Sequence, residues 1–74
     1  MNHMRIATIN RRIKQAGIPL ELWRGDGYHH FTYDDGVRYE GVSVMVCYTN
    51  QLTLDQWLYE ARIALDRIQR RIAA

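Results

Sequence analysis

Apolar residues recur along this chain with two periods, and the switches between them outline its elements. Ile6, Ile9, Ile13 and Ala16 return every three to four positions, which predicts a helix over about Met4–Ala16 with one apolar stripe. Gly17 then offers a left-handed cap, and Pro19 stands just beyond, where it cannot extend the helix. Asn2 is a candidate cap at the other end. From Ile18 to Arg24 the period drops to two, with Leu20 and Leu22 on one face and Glu21 and Trp23 on the other, which predicts a strand. Gly25-Asp26-Gly27 is a hairpin turn signal, Tyr28–Tyr33 an aromatic-rich second strand, and Asp34-Asp35-Gly36 a second turn. Val42, Val44, Val46 and Tyr48 alternate against Ser43, Met45 and Cys47, predicting a third strand over Val42–Tyr48. Residues 37–41 fit either an extension of the second hairpin or a loop with Gly41 as a bulge.

The last segment opens on the best-marked boundary in the chain. Thr53 is an N-cap, Gln56 completes a capping box, and Leu52 and Trp57 occupy the two positions of a hydrophobic staple. Leu54, Trp57, Leu58, Ala61, Ala64, Leu65, Ile68 and Ile72 follow at helical spacing, and Asp66 with Arg70 forms a favourable i,i+4 pair. The order is αβββα, an α+β class. A three-stranded antiparallel sheet needs only one covered face, so both helices are expected side by side on one face, with the other left open.

Length and composition narrow this picture. Seventy-four residues, 47% hydrophobic and 24% charged, make one globular domain over 1–74 with little core to spare. The opening Met1-Asn2-His3-Met4 resembles a cloning junction, so residues 1–3 and the His3 ring are kept out of the functional argument. One cysteine precludes an internal disulfide, and neither a membrane-spanning run nor a signal-peptide pattern is present, so a cytoplasmic domain with no membrane role is expected. Charge is unevenly spread: net +4 over residues 1–17, −3 over 18–52 and +1 over 53–74, within a total of +2. Such polarity bears on partners rather than on fold.

The chain offers little for catalysis. His29 and His30 are strand neighbours, so their rings point to opposite faces and cannot share a metal. Cys47, in an apolar strand with no evident base and orienting group, reads as a small structural hydrophobe. Asp34 and Asp35 are accounted for by turn chemistry, and Gly25 and Gly27 flank an acid that would repel phosphate. Arg24-Gly25-Asp26 matches the integrin-recognition tripeptide, a short coincidence in a cytoplasmic chain. No enzyme activity, metal, cofactor or small-molecule substrate is therefore expected.

Two surfaces remain. Arg5, Arg11, Arg12 and Lys14 wrap the polar side of the first helix, either as a solvated face or as a contact for phosphates or an acidic partner. Arg67, Arg70 and Arg71 can complement the dipole of the second helix. The rings of Trp23, Tyr28, Phe31, Tyr33, Tyr39 and Tyr48 exceed the needs of one small core layer, so some must lie on the open face of the sheet. They serve there as cross-strand pairs or as a partner surface, with Trp23 and Tyr28 the candidate anchors.

The run from Gly17 to Phe31, with Arg24-Gly25-Asp26-Gly27-Tyr28 at its turn, and the later Leu52-Thr53-Leu54-Asp55-Gln56-Trp57-Leu58 resemble a group of small phage and prophage proteins. These share a Gly-Ile-Pro lead-in, an Arg-Gly-x-Gly-Tyr turn and a Leu-x-x-x-Gln-Trp helix start. The function of that group is largely unknown, and the shared motifs are a cap, a turn and a staple, so no functional residue carries over. The resemblance implies a mobile-element origin and action by binding and modulating a host component, as anti-CRISPR proteins do. The αβββα order is also similar to that of double-stranded RNA-binding domains. Their lysine-rich start of the second helix is replaced here by Thr53-Leu54-Asp55-Gln56, and their Gly-Pro-x-His-type loop is missing. The expectation is a non-enzymatic accessory protein that contacts a host or phage protein, or itself as a homodimer. The alternative is a nucleic-acid-binding module using the basic first helix.

Overall fold

The computed structural model describes residues 5–34 and 39–73. Asn2, proposed as a cap, and the second hairpin turn from Asp35 to Gly36 lie outside the described residues. The order is α1 (Ile6–Gln15), β1 (Glu21–Arg24), β2 (His29–Asp34), β3 (Tyr39–Val44), a short 3-10 helix (Thr49–Gln51) and α2 (Leu54–Ala73). The strands form an antiparallel sheet in the order β1-β2-β3. Both helices pack on one face of it, α1 beside β1 and α2 across β2 and β3.

Each helix end is closed by local chemistry. At the end of α1 the Ile18 N–H donates to the Ile13 carbonyl (3.1 Å) and the Gly17 N–H to the Lys14 carbonyl (3.0 Å). This is the Schellman arrangement, and Gly17 supplies its left-handed residue at φ 75°. At the start of α2 the Gln56 N–H donates to Thr53 Oγ1 (3.1 Å) while the Thr53 N–H donates to Gln56 Oε1 (2.8 Å), completing the capping box.

The core is a single cluster between sheet and helices. Ile9 and Ile13 from α1, Leu22, Phe31 and Val42 from the three strands, and Trp57, Ala61 and Ile68 from α2 are buried. Leu22, Phe31 and Val42 are partners in register, so they form one row across the inner face. Ala16, expected on the apolar stripe, is instead the exposed C-cap residue of α1.

Three sequence expectations shift. Strand β1 begins at Glu21 rather than Ile18, because a tight turn across Pro19 takes the Leu20 N–H to the Ile18 carbonyl (2.9 Å). Strand β3 covers Tyr39–Val44 rather than Val42–Tyr48, and Gly41 pairs in register with Thr32, so there is no bulge there. The alternation of valines continues past Val44, but β2 has no residue left to pair beyond His29. The chain therefore turns, with the Val46 N–H on the Val44 carbonyl (2.8 Å), into the 3-10 helix. Gln51 holds that turn by accepting the N–H groups of Cys47 and Tyr48, each at 2.8 Å. Cys47, expected inside an apolar strand, is consequently exposed in the loop, with its thiol on the Gly27 carbonyl (3.2 Å).

Candidate partner surface

Pleating divides the strand residues between two faces, and the register identifies which side chains share the open one. Glu21, Thr32 and Gly41 lie in one row and Trp23, His30 and Ser43 in the next. Tyr28 and Gly25 continue the face at the hairpin, where the Gly25 N–H donates to the Tyr28 carbonyl (2.8 Å). Within this turn Asp26 keeps a negative φ, and only Gly27 takes a left-handed conformation, at 79°.

Trp23 and Tyr28, inferred from sequence as anchors, do come together here. Trp23 is 48% exposed, but its indole is fixed: Nε1–H donates to Thr32 Oγ1 at 3.0 Å. The Tyr28 ring lies against His30, with centroids 6.0 Å apart, and also over Gly25. A Cβ at Gly25 would sit 2.7 Å from the tyrosine Cζ, so any larger residue there would displace the ring. His30, Thr32, Ser43 and Gly41 complete the surface, a role the sequence analysis assigned to none of them. The only signal for them was their strand alternation with Phe31 and Val42.

The other rings divide differently. Phe31 is buried, and Tyr33 packs half-buried on the core side. Tyr48 is exposed in the loop, and Tyr59 is exposed on α2. His29 is fully buried beside Trp57, its ring centroid 5.6 Å away in an edge-on arrangement. Its Nδ1 lies 2.7 Å from the Val46 carbonyl; a carbonyl only accepts, so Nδ1 carries the proton and donates. Nε2 is enclosed and without a hydrogen-bond partner. The two histidines thus face opposite ways, as their adjacency requires. Among the described residues no group of three or more His, Cys, Asp or Glu side chains could hold a metal ion.

The basic residues are not brought to the aromatic surface. Arg5, Arg11, Arg12 and Lys14 are exposed, and since α1 packs on the inner face, its solvent side lies away from Trp23 and Tyr28. Lys14 is nearest the boundary. With Asn10, Ile18, Pro19, Leu20, Glu21 and Thr32 it lines an open cleft of about 520 Å³ along the outer edge of β1. Arg70 makes the expected i,i+4 pair with Asp66 (3.0 Å).

Both free edges of the sheet are engaged by helix side chains, which sequence reasoning missed. Asn10 acts on β1 as a neighbouring strand would. Its Oδ1 accepts the Leu22 N–H (2.6 Å), and its Nδ2 donates to the Leu22 carbonyl (3.1 Å). On the far edge Arg71 donates to the Gly41 carbonyl (3.3 Å) and pairs with Glu40 (3.6 Å). The available hint was an asparagine beside the apolar stripe of α1, between Ile9 and Ile13.

No family model, curated protein or solved structure matches this chain. Among the described residues no helix is long and apolar enough to cross a membrane.

Proposed function

We propose that the chain is a non-catalytic accessory protein that works by protein–protein contact through the open face of its sheet. One observation carries the reading: Trp23 is half exposed on a sheet face that no helix covers, yet its indole is held in one orientation by Thr32. A ring ordered before a partner arrives loses little entropy on binding, and this is where interface energy concentrates. Tyr28 and His30 extend the same surface, and in the two rows that hold Glu21 and Trp23 only Glu21 is formally charged. Sparse charge around aromatic groups is the composition of an interface core. The resemblance to small phage proteins supports a host or phage protein as the partner, with modulation of a host system as the outcome.

A second reading has its own support. Arg5, Arg11, Arg12 and Lys14 form an exposed basic surface and take part in none of the ion pairs seen among the described residues, as a site for a nucleic-acid backbone would. Quantitative capture from host lysate separates the two. Changing Trp23 and Tyr28 together to Ala should weaken partner binding by about 2 kcal/mol or more, roughly thirtyfold, with shallow dependence on salt. Arg11→Glu with Arg12→Glu should change it by less than about threefold. A steep salt dependence, with loss of binding in the arginine variant and retention in the aromatic one, would replace the protein-contact reading by the nucleic-acid one.

A further inference from the structure

We infer that the open sheet face is self-complementary and pairs two copies of this chain about a two-fold axis running along β2. The inference rests on the reading of that face as a protein-contact surface and names its occupant.

In the rows of Glu21 and Trp23 the face is tall on one side and low on the other. On β1 it carries Glu21 and Trp23, and on β2 the Tyr28 and His30 rings. On β3 the same two rows end in Gly41 and Ser43, the shortest side chains available. One level further along, the relief reverses. Gly25 follows β1, whereas Met45 follows β3, in the turn that the Val46 N–H closes on the Val44 carbonyl, and is 84% exposed. A two-fold axis along β2 lays β1 of one copy over β3 of the other while keeping each row at its own level. Trp23 of the partner subunit then enters the trough over Ser43 and Gly41. Met45 meets the partner's Tyr28 ring where it covers Gly25, a sulfur–aromatic contact. Tyr28 and His30, on the central strand, lie nearest the axis.

Charge follows the same symmetry. Glu21 makes no ion pair among the described residues, and it shares its row with Gly41, whose carbonyl takes the Arg71 guanidinium. The axis brings each Glu21 towards the other copy's Arg71, which it shares with Glu40 of that copy, twice per dimer. Edge-to-edge pairing is the competing way for two sheets to join, and it is opposed here because Asn10 occupies both polar groups of Leu22 and Arg71 occupies Gly41. The face is small, about 14 Å across three strands, so the dimer belongs to the weak, reversible class of interface.

Sedimentation of the purified chain from ~10 µM to ~1 mM should show a reversible monomer–dimer equilibrium. Ser43→Trp fills the trough and should weaken it at least about tenfold without lowering the thermal midpoint. Ser43→Lys serves the same purpose if the tryptophan variant folds poorly. Glu21→Arg and Arg71→Glu should each weaken the dimer, and the double swap should restore it to within about threefold of the parent. Isotope-filtered NMR on a mixed sample should connect the Trp23 indole of one copy to Ser43 and Gly41 of the other. A chain still monomeric at the highest concentration overturns the inference, as does a dimer indifferent to Ser43 variants or lacking those contacts. A monomer whose capture of another protein still depends on Trp23 and Tyr28 removes the dimer but keeps the protein-contact reading. A monomer whose capture ignores those residues removes both.

Discussion

The two faces of the sheet are built from the same three strands, and they obey different physics. On the inner face Leu22, Phe31 and Val42 meet Ile9, Ile13, Trp57 and Ile68, and water is excluded. On the outer face, one position along each strand, Trp23, His30 and Ser43 meet no other layer. His29 and His30 display the contrast within one dipeptide. The first is sealed against Trp57 with its Nδ1 proton on a backbone carbonyl, and the second lies half exposed under Tyr28. The lesson is that ring count says little until the face is known. An aromatic residue inside holds this small fold together, whereas one outside adds little to stability and is free to serve a partner.

The sharpest way to break that contrast is to remove a ring from each side. Trp57→Ala should cost about 3–5 kcal/mol, because it empties the centre of the core and removes the indole N–H that donates to the Thr49 carbonyl at 2.8 Å. Urea denaturation should show a near-complete loss of the folded baseline. Next in size is the clamp at the sheet edge. Asn10→Ala leaves the N–H and carbonyl of Leu22 without their partner and should cost about 1–3 kcal/mol in the same titration. Thr53→Ala removes one half of the capping box and should cost about 1 kcal/mol, read as a shift of the thermal midpoint. Last is Trp23→Ala, expected to change stability by about 1 kcal/mol, since a cross-strand contact and one part-buried hydrogen bond are lost. A Trp23→Ala variant as unstable as Trp57→Ala would abolish the distinction between the faces, and with it the case for a docking surface.

Several elements are legible in the sequence itself. Thr53 and Gln56 marked the start of α2 because a capping box is closed within four residues, and Gly17 with Pro19 marked the end of α1 for the same reason. The inward set of α2 followed from its spacing, since a helix must turn its apolar stripe to whatever it packs on. The far end of β3 was not legible. Val46 and Tyr48 continue the alternation of a strand, but a strand needs a partner, and β2 turns away into its hairpin after His29. Cys47 changed from expected core to exposed loop by that one geometric fact.

The candidate surface divides along the same line. Sequence alone determined the architecture, the unequal distribution of charge, and the surplus of rings that made an aromatic outer face necessary, because each follows from spacing or from counting within short segments. Tertiary structure decided which rings those were and what fixes them. It set Thr32 beneath the Trp23 indole, Asn10 and Arg71 against the two sheet edges, and Gly41 and Ser43 beside the rings as a low shelf. All of these join residues distant in the chain, through the register of the strands and the packing of helix on sheet. Such pairings depend on how whole elements meet, and no local pattern encodes them.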